Sequence, residues 1–252
     1  MPDTPIILWD NLLSADVGFV ISPGTETGYD IANVYDWRLY TKFMFNAAGT
    51  ATIVIDCGTP QYAGALAIGG HNLFTASASV KLEKSVDGIS WITVLDAFNP
   101  TDDNTLLEDF TRVSSRYWRL TIISAAIKVY MGIIVLADPL VFDYPPDAPY
   151  SDSQEKIISE SARSKAGYLL GAIIRYKELT INANFSNLSQ TWIDTYFIPF
   201  WDNHAGNLTP FIWHYNSKTF LVSANPDSIM NFPKNFADYV TTLALNMTGI
   251  KE

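Results

Sequence analysis

A mainly β chain of two modules is predicted, with a β-sandwich or jelly roll over residues 1–140 and a β-rich module with one conspicuous helix over 166–252. Three observations carry this. Apolar residues recur at period two from about residue 50 to 136, between short Gly, Asn and Asp clusters. A polar stretch bearing Pro139, Pro145, Pro146 and Pro149 then breaks the pattern, and proline cannot join an interior ladder. Beyond it the alternation resumes around a segment of helical spacing.

The elements follow in order. In "ATIVIDCG" Ile53, Ile55 and Cys57 share one face; in "VKLEKS" Val80 and Leu82 oppose Lys81 and Glu83; in "RYWRLTI" Trp118, Leu120 and Ile122 oppose Arg119 and Thr121. Each reads as a half-buried strand. Asp87-Gly88 in "EKSVDGISW" predicts a two-residue hairpin turn of type I′, which needs positive φ at both positions. Asp87 is therefore a turn residue and not a catalytic acid, and Val80, Leu82 and Trp91 share an apolar face. Residues 141–165 are expected to be a linker, in which "QEKIISESARSK" has the option of a short exposed helix. "ELTINANF" alternates again, with Leu179, Ile181, Ala183 and Phe185 on one face. In "NLSQTWIDTYFIPFW" Leu188, Trp192, Ile193, Tyr196 and Phe197 fall at helical spacing, with Asn187 or Ser189 as N-cap and Pro199 limiting extension. "PFIWHY", "TFLV" and "YVTTLALNMT" return to strands.

Composition narrows the function classes. The 252 residues are 48% hydrophobic, 13% aromatic and only 17% charged, with a formal net charge of −10. Full cores are affordable, and the surface leans on Ser, Thr, Asn and Gln or on partners. Nucleic-acid binding draws most of its affinity from clustered Lys and Arg, and no basic run is present, so no nucleic-acid partner is expected. Nothing approaches ~18 uninterrupted apolar residues, so no membrane span is expected. "MPDTPIILWDNLL" lacks the basic region of a secretory signal, which points to synthesis in the cytoplasm. Cys57 has no partner for a disulfide or a thiolate metal cluster and reads as a small core residue.

No catalytic, cofactor or metal residue is assigned. His71, His204 and His214 lack metal-ligand spacing, and His204 and His214 read as a loop and a strand residue. Gly69 and Gly70 in "AIGGHNL" lack the third glycine of a dinucleotide fingerprint and read as a turn at a strand end. Asp102, Asp103 and Asn104 offer the oxygen donors calcium takes, but the spacing is not that of an EF-hand, and an Asp/Asn-rich turn is the commoner cause. Neither a nucleophile elbow nor a phosphate-cradling loop is present. Trp9, Trp37 and Trp201 are open to two uses, as stacking platforms for sugars or as partner anchors, whereas Trp91 and Trp118 read as core.

In order, "ANVYD" (32–36), "TIVIDCG" (52–58), "GALAIGGHNL" (64–73), "VKLEKSVDGISW" (80–91) and "SRYWRLTI" (115–122) resemble discoidin-like, or F5/8 type C, galactose-binding-like domains over about residues 5–137. The resemblance implies a jelly-roll β-sandwich. "GGHNL" and the closing "VYMGIIVLADPLVF" look like the versions in tailed-bacteriophage tail proteins, where a second β-rich module follows, and the C-terminal half looks like that module. What this implies is a structural component of a tail tip or baseplate. Other tail proteins would be its partners, with a homo-oligomeric ring and a place in the virion. The alternative is a host-attachment module binding cell-surface glycan. An enzyme is not expected. The bracketing disulfide of the extracellular domains is missing, and their loop residues do not map onto this chain, so the ligand-binding residues stay unknown.

Overall fold

The computed structural model describes residues 4–124, 126–225, 230, 239–240 and 242–250. It is mainly β, in two compact units, the first comprising Ile6–Leu140 and the second beginning at Val141.

In the first unit the strands are β1 (Ile6–Leu8), β2 (Gly18–Ser22), β3 (Phe43–Met44), β4 (Thr50–Gly69), β5 (Ser79–Ser85), β6 (Ile92–Phe98), β7 (Leu106–Ile123), β8 (Tyr130–Met131), β9 (Ile133–Ala137) and β10 (Leu140–Val141). One sheet runs β2-β4-β7-β5-β6, with β9 pairing the far half of β4, and β3 pairs β8. All of these ladders are antiparallel. The two long strands β4 and β7 pair twice, Thr50–Asp56 against Tyr117–Ile123 and Gln61–Ile68 against Leu106–Ser115, with a register break between Asp56 and Gln61. Pro60 falls in that break, where no ladder hydrogen bond is lost. The inward faces of β4, β5, β7 and β9 close on one core, in which Ile53, Val80, Ile122 and Trp118 are fully buried with Phe43 and Phe45. Cys57 packs partly buried against that core, and burial, helped by Asp56, pushes its thiol up to about 11.

The shared motifs prove to be stitches between strands. Asp56 of "IDCG" accepts two hydrogen bonds from Arg116, at 2.7 and 2.9 Å, and one from the Gly58 amide. The Arg116 hydrogen bond is the main reason its carboxyl is held down at about 2. Glu83 accepts from Lys81 at 2.8 Å and from Arg119 at 2.7 Å. Burial alone would raise Glu83, but these two partners outweigh it and leave the carboxyl below its usual value.

Two expectations about this unit need correction. The "EKSVDGISW" connection is a wider loop between Ser85 and Ile92, and of its residues only Gly88 has positive φ, at 72°. Side chains take over the role of a tight backbone turn. Ser85 Oγ accepts from the amides of Asp87 and Gly88, and Asp87 Oδ1 accepts from the Ser85 hydroxyl and the amides of Ile89 and Ser90. Asp87 is a turn residue, its carboxyl held at about 2 by those backbone amides. Trp91 is only half-buried and lies outside the strands, with the Arg119 guanidinium 4.3 Å over its ring; a cation-π contact replaces the predicted apolar face.

In the second unit the strands are β11 (Ser151–Arg163), β12 (Leu169–Phe185), β13 (Leu188–Ser189), β14 (Phe211–Tyr215), β15 (Lys218–Ala224), β16 (Tyr239–Val240) and β17 (Leu243–Ile250). The order in the sheet is β14-β15-β17-β12-β11, and β13 pairs β16. Leu179, Ile181, Ala183 and Phe185 are buried on one face, as the alternation predicts. Above them lies an aromatic cluster in which Phe142 stacks on Phe185 at 4.2 Å and meets Trp192 at 4.9 Å and Trp213 at 6.1 Å.

The helix spans 190–203, with Ser189 as N-cap accepting from the Trp192 amide at 3.1 Å. Pro199 does not end it. A π-helical turn, Ile193–Phe197, precedes the α-helical Ile198–Asn203. The wider turn keeps the chain helical past a residue that has no amide hydrogen and crowds the preceding carbonyls.

The largest difference concerns the expected linker. Ser151–Arg163 is neither linker nor helix but a strand, paired with β12 from Ser151↔Asn182 to Arg163↔Leu169. β17 pairs only Glu178–Phe185 of β12, so the remainder of β11 and β12 forms a two-stranded arm. Ile157, Tyr168, Leu169, Leu170, Ile173, Ile174 and Tyr176 on that arm are all exposed. Burial, not composition, is what a polar strand usually lacks, and this one resembled a linker because neither of its faces is buried.

Candidate functional site

One end of the first unit is built from three adjoining loops. The first follows the 3-10 turn Ile31–Val34, capped by Asp30, whose side chain accepts from the Ala32 amide at 2.9 Å. Asp36 then ties its loop to itself, accepting from the Arg38 amide at 2.9 Å and from the Thr41 hydroxyl at 2.7 Å. Asn33 donates to the Lys42 carbonyl at 2.7 Å. The Lys42 ammonium donates to the carbonyls of Leu39 and Gly70, fastening this loop to the second. Gly70 permits the junction: its φ is +62°, and a Cβ there would lie 2.7 Å from the Leu39 oxygen.

In the second loop Asn72 donates to the Lys128 carbonyl at 3.0 Å and accepts from the Tyr130 amide at 2.9 Å. The third loop reaches back through Asp103, which accepts from the amides of Phe74 and Thr75 at 2.9 and 3.2 Å and from the Thr75 hydroxyl. Asp102 accepts from the Asn104 amide at 2.9 Å. The Asp102–Asn104 segment is therefore an Asp/Asn turn in which both Asp103 oxygens and Asp102 Oδ1 accept loop hydrogen bonds.

These bonds hold two aromatic rings open to solvent on neighbouring loops, Tyr40 at 77% exposure and Phe74 at 53%. Polar residues lie near them in the chain: Arg38 two residues before Tyr40, Thr75 next to Phe74, and Asp102 and Asn104 on either side of the Asp103 that binds the Phe74 and Thr75 amides. Loops of this kind, pinned by side-chain hydrogen bonds while presenting rings, suit a ligand that has an apolar face and hydroxyl edges.

His71 belongs to the second loop, between Gly70 and Asn72. Its ring is fully buried, Nδ1 accepts from the Leu73 amide at 3.3 Å, and Asp103 Oδ1 stands 3.8 Å away. Nε2 is buried without a hydrogen-bond partner. Burial lowers its pKa, against the opposing pull of Asp103, so the ring is neutral at neutral pH. A buried neutral imidazole binds its proton less readily folded than unfolded. Its contribution to stability is therefore full above about pH 6.5 and is lost as pH falls below that value. Asp56 and Asp87, both held at about 2, add a second loss as pH falls from about 4 towards 2. Denaturant melts against pH are expected to show both steps, and His71→Asn, which keeps an acceptor for the Leu73 amide, removes the upper one.

The other residues singled out from sequence are not brought together. His204 sits at the end of the helix with Nε2 2.7 Å from the Pro210 carbonyl, and His214 lies buried on β14. Among the described residues no group of three His, Cys, Asp or Glu side chains converges to hold a metal. Trp37 belongs to the first loop but is half-buried, Trp9 is half-buried, and Trp201 lies in the helix of the second unit. Tyr40 and Phe74 escaped the reading by residue type, which favoured tryptophan. The available signal was an aromatic set among Arg, Asn and Thr just after Asp36 and just after "GGHN".

No family model matches the chain, and no curated protein matches it. Several solved structures align with about half of it. A pectin-binding carbohydrate-binding module is 19% identical over 47% of this chain and 88% of its own, with a TM-score of 0.40. The Clostridium perfringens module CpGH89CBM32-6 is 15% identical over 51% of this chain and 99% of its own, at 0.42. Chitosan-binding module 1 of a chitosanase/glucanase from Paenibacillus sp. IK-5 is 18% identical over 50% and 97%, at 0.43.

Proposed function

We propose that the chain is a non-catalytic recognition protein whose first unit binds neutral cell-surface carbohydrate, carried on a bacteriophage tail as a host-attachment module. The observation that supports this best is the pair of exposed rings, Tyr40 and Phe74, on loops locked together through Lys42, Gly70 and Asp103. Rigid rings bind at little conformational cost, and a sugar offers its apolar face to them while its hydroxyls reach Arg38, Asp102 and Asn104.

A glycan array probed with the full chain tests the reading, followed by titration calorimetry on the strongest hit. Tyr40→Ala with Phe74→Ala is expected to weaken that binding by at least about tenfold, or roughly 1.4 kcal/mol, without shifting the melting temperature of the protein. Absence of any glycan binding, or binding indifferent to both rings, would sink it.

A second reading, a structural component of the tail tip or baseplate that assembles with other tail proteins, is favoured by the exposed arm of the second unit. The two readings are compatible in one virion protein made in the host cytoplasm.

A further inference from the structure

The arm formed by β11 and the far part of β12 is a surface left uncovered by the described residues of the chain. Between Lys165 and Lys177 every residue is exposed. Two-stranded ribbons are marginal in water on their own, and this one carries seven large hydrophobic residues in the open: Ile157, Tyr168, Leu169, Leu170, Ile173, Ile174 and Tyr176, at exposures of 49% to 74%. Their exposed surface is on the order of 800 Å², about what one partner gives to a standard protein interface. The arm's backbone is also open. β11 ends the sheet order, and among the described residues β17 accompanies β12 only as far as Glu178. Native proteins seldom leave long edges of this kind unprotected.

Charge indicates the occupant. The arm, residues 157–177, holds four Lys and Arg against one Glu, a net +3 in a chain of −10, which leaves −13 on the other residues. Glu160 and Glu155 are already paired with Arg175 and Lys177, both at 2.6 Å, so the remaining positive charge of the arm lies on Arg163 and Lys165. An apolar, basic arm on an otherwise acidic chain repels another arm and is attracted to the acidic remainder of a second copy.

We infer that the arm of one copy docks onto the acidic remainder of a second copy, making a head-to-tail contact between copies of this chain. Such a contact is heterologous, and it yields a ring when its rotation closes and a filament when it does not. The inference rests on the assembly reading of the second unit and is independent of glycan binding.

Sedimentation velocity on the full-length protein at about 100 µM, a concentration at which even weak micromolar contacts are populated, tests it. The wild type is expected at a multiple of 28.0 kDa, and Leu170→Glu with Ile173→Glu at the single-chain mass. Tyr40→Ala with Phe74→Ala should sediment as the wild type, so that loss of sugar binding and loss of assembly are read separately. The double glutamate variant risks unfolding the arm, so hydrogen exchange on the wild-type oligomer supplies a second readout. Amides of 169–177 should exchange at least tenfold more slowly than expected for an open ribbon. A wild type that is monomeric at that concentration overturns the inference. So does an oligomer whose arm amides exchange freely, or one that the glutamates leave intact, or assembly that needs a different protein or a lipid vesicle.

Discussion

Phe142→Ala is expected to destabilise the second unit by about 3–5 kcal/mol, the range for removing a large aromatic side chain from a packed core. Phe142 is 1% exposed, and its ring meets Phe185 of β12, Trp192 of the helix and Trp213 of β14. Its loss opens a cavity bordered by three different elements, none of which can close it without leaving its own ladder or helical turn. The helix is held to the same region by the Trp192 indole, which donates to the Val141 carbonyl at 3.1 Å, so the neighbouring residue helps to fix it. Thermal unfolding followed by near-ultraviolet circular dichroism, which reports the tryptophans of this cluster, should show the effect as a fall in Tm on the order of 15 °C or more. Phe142→Leu, which refills most of the volume, should recover more than half of the loss. A Phe142→Ala protein that melts like the wild type would show that this cluster does not carry the unit.

Gly70→Val is expected to have the second large effect, on the first unit and on sugar binding together. The position needs positive φ, which a β-branched residue tolerates poorly, and its Cβ would fall 2.5 Å from the Lys42 ammonium nitrogen and 2.7 Å from the Leu39 oxygen. One of those neighbours is backbone, so the loop carrying Tyr40 must move. Strain at one such residue costs about 1–3 kcal/mol, and the displaced Lys42 leaves the carbonyls of Leu39 and Gly70 without their donor. Glycan titration should lose at least about tenfold in affinity with a lowered Tm, in contrast to Tyr40→Ala with Phe74→Ala, where only the affinity falls. Retained affinity in Gly70→Val would mean that the platform does not depend on the junction.

The first unit was readable because its motifs are spacing-dependent contacts. Glu83 stands opposite Arg119 across β5–β7, and Asp56, opposite Tyr117 at the end of its β4–β7 stretch, reaches the adjacent Arg116; strands in register reproduce these pairs whatever the loops do. Asp87 was readable as a turn residue for a similar local reason, but the turn type was not. The Ser85 hydroxyl and Asp87 carboxylate supply hydrogen bonds that a two-residue turn would have taken from backbone, and that choice is made by side chains rather than by the Asp-Gly pair. The arm was illegible because binary pattern reports burial, and β11 buries neither face within one chain. Pro199 misled for the opposite reason: the rule that it ends a helix presumes α geometry throughout, and a single π turn removes that premise. The platform was hidden because exposure of Tyr40 and Phe74 depends on which loops meet, a property of tertiary contact between residues some 30 positions apart.

The double pairing of β4 with β7 also has a kinetic meaning. Thr50 stands opposite Ile123 and Ile68 opposite Leu106, so the central ladder of the first unit cannot form until a long intervening segment has been closed into a loop. Local contacts provide little head start, and chains of this kind refold in milliseconds to seconds rather than microseconds. During that interval the apolar halves of both strands are open to neighbouring chains. Glu83 stands directly opposite Arg119, so a one-residue slip separates that carboxylate from its guanidinium and turns every inward side chain to the wrong face. That charged stitch therefore acts as a proofreading device for strand alignment in a slow-folding chain.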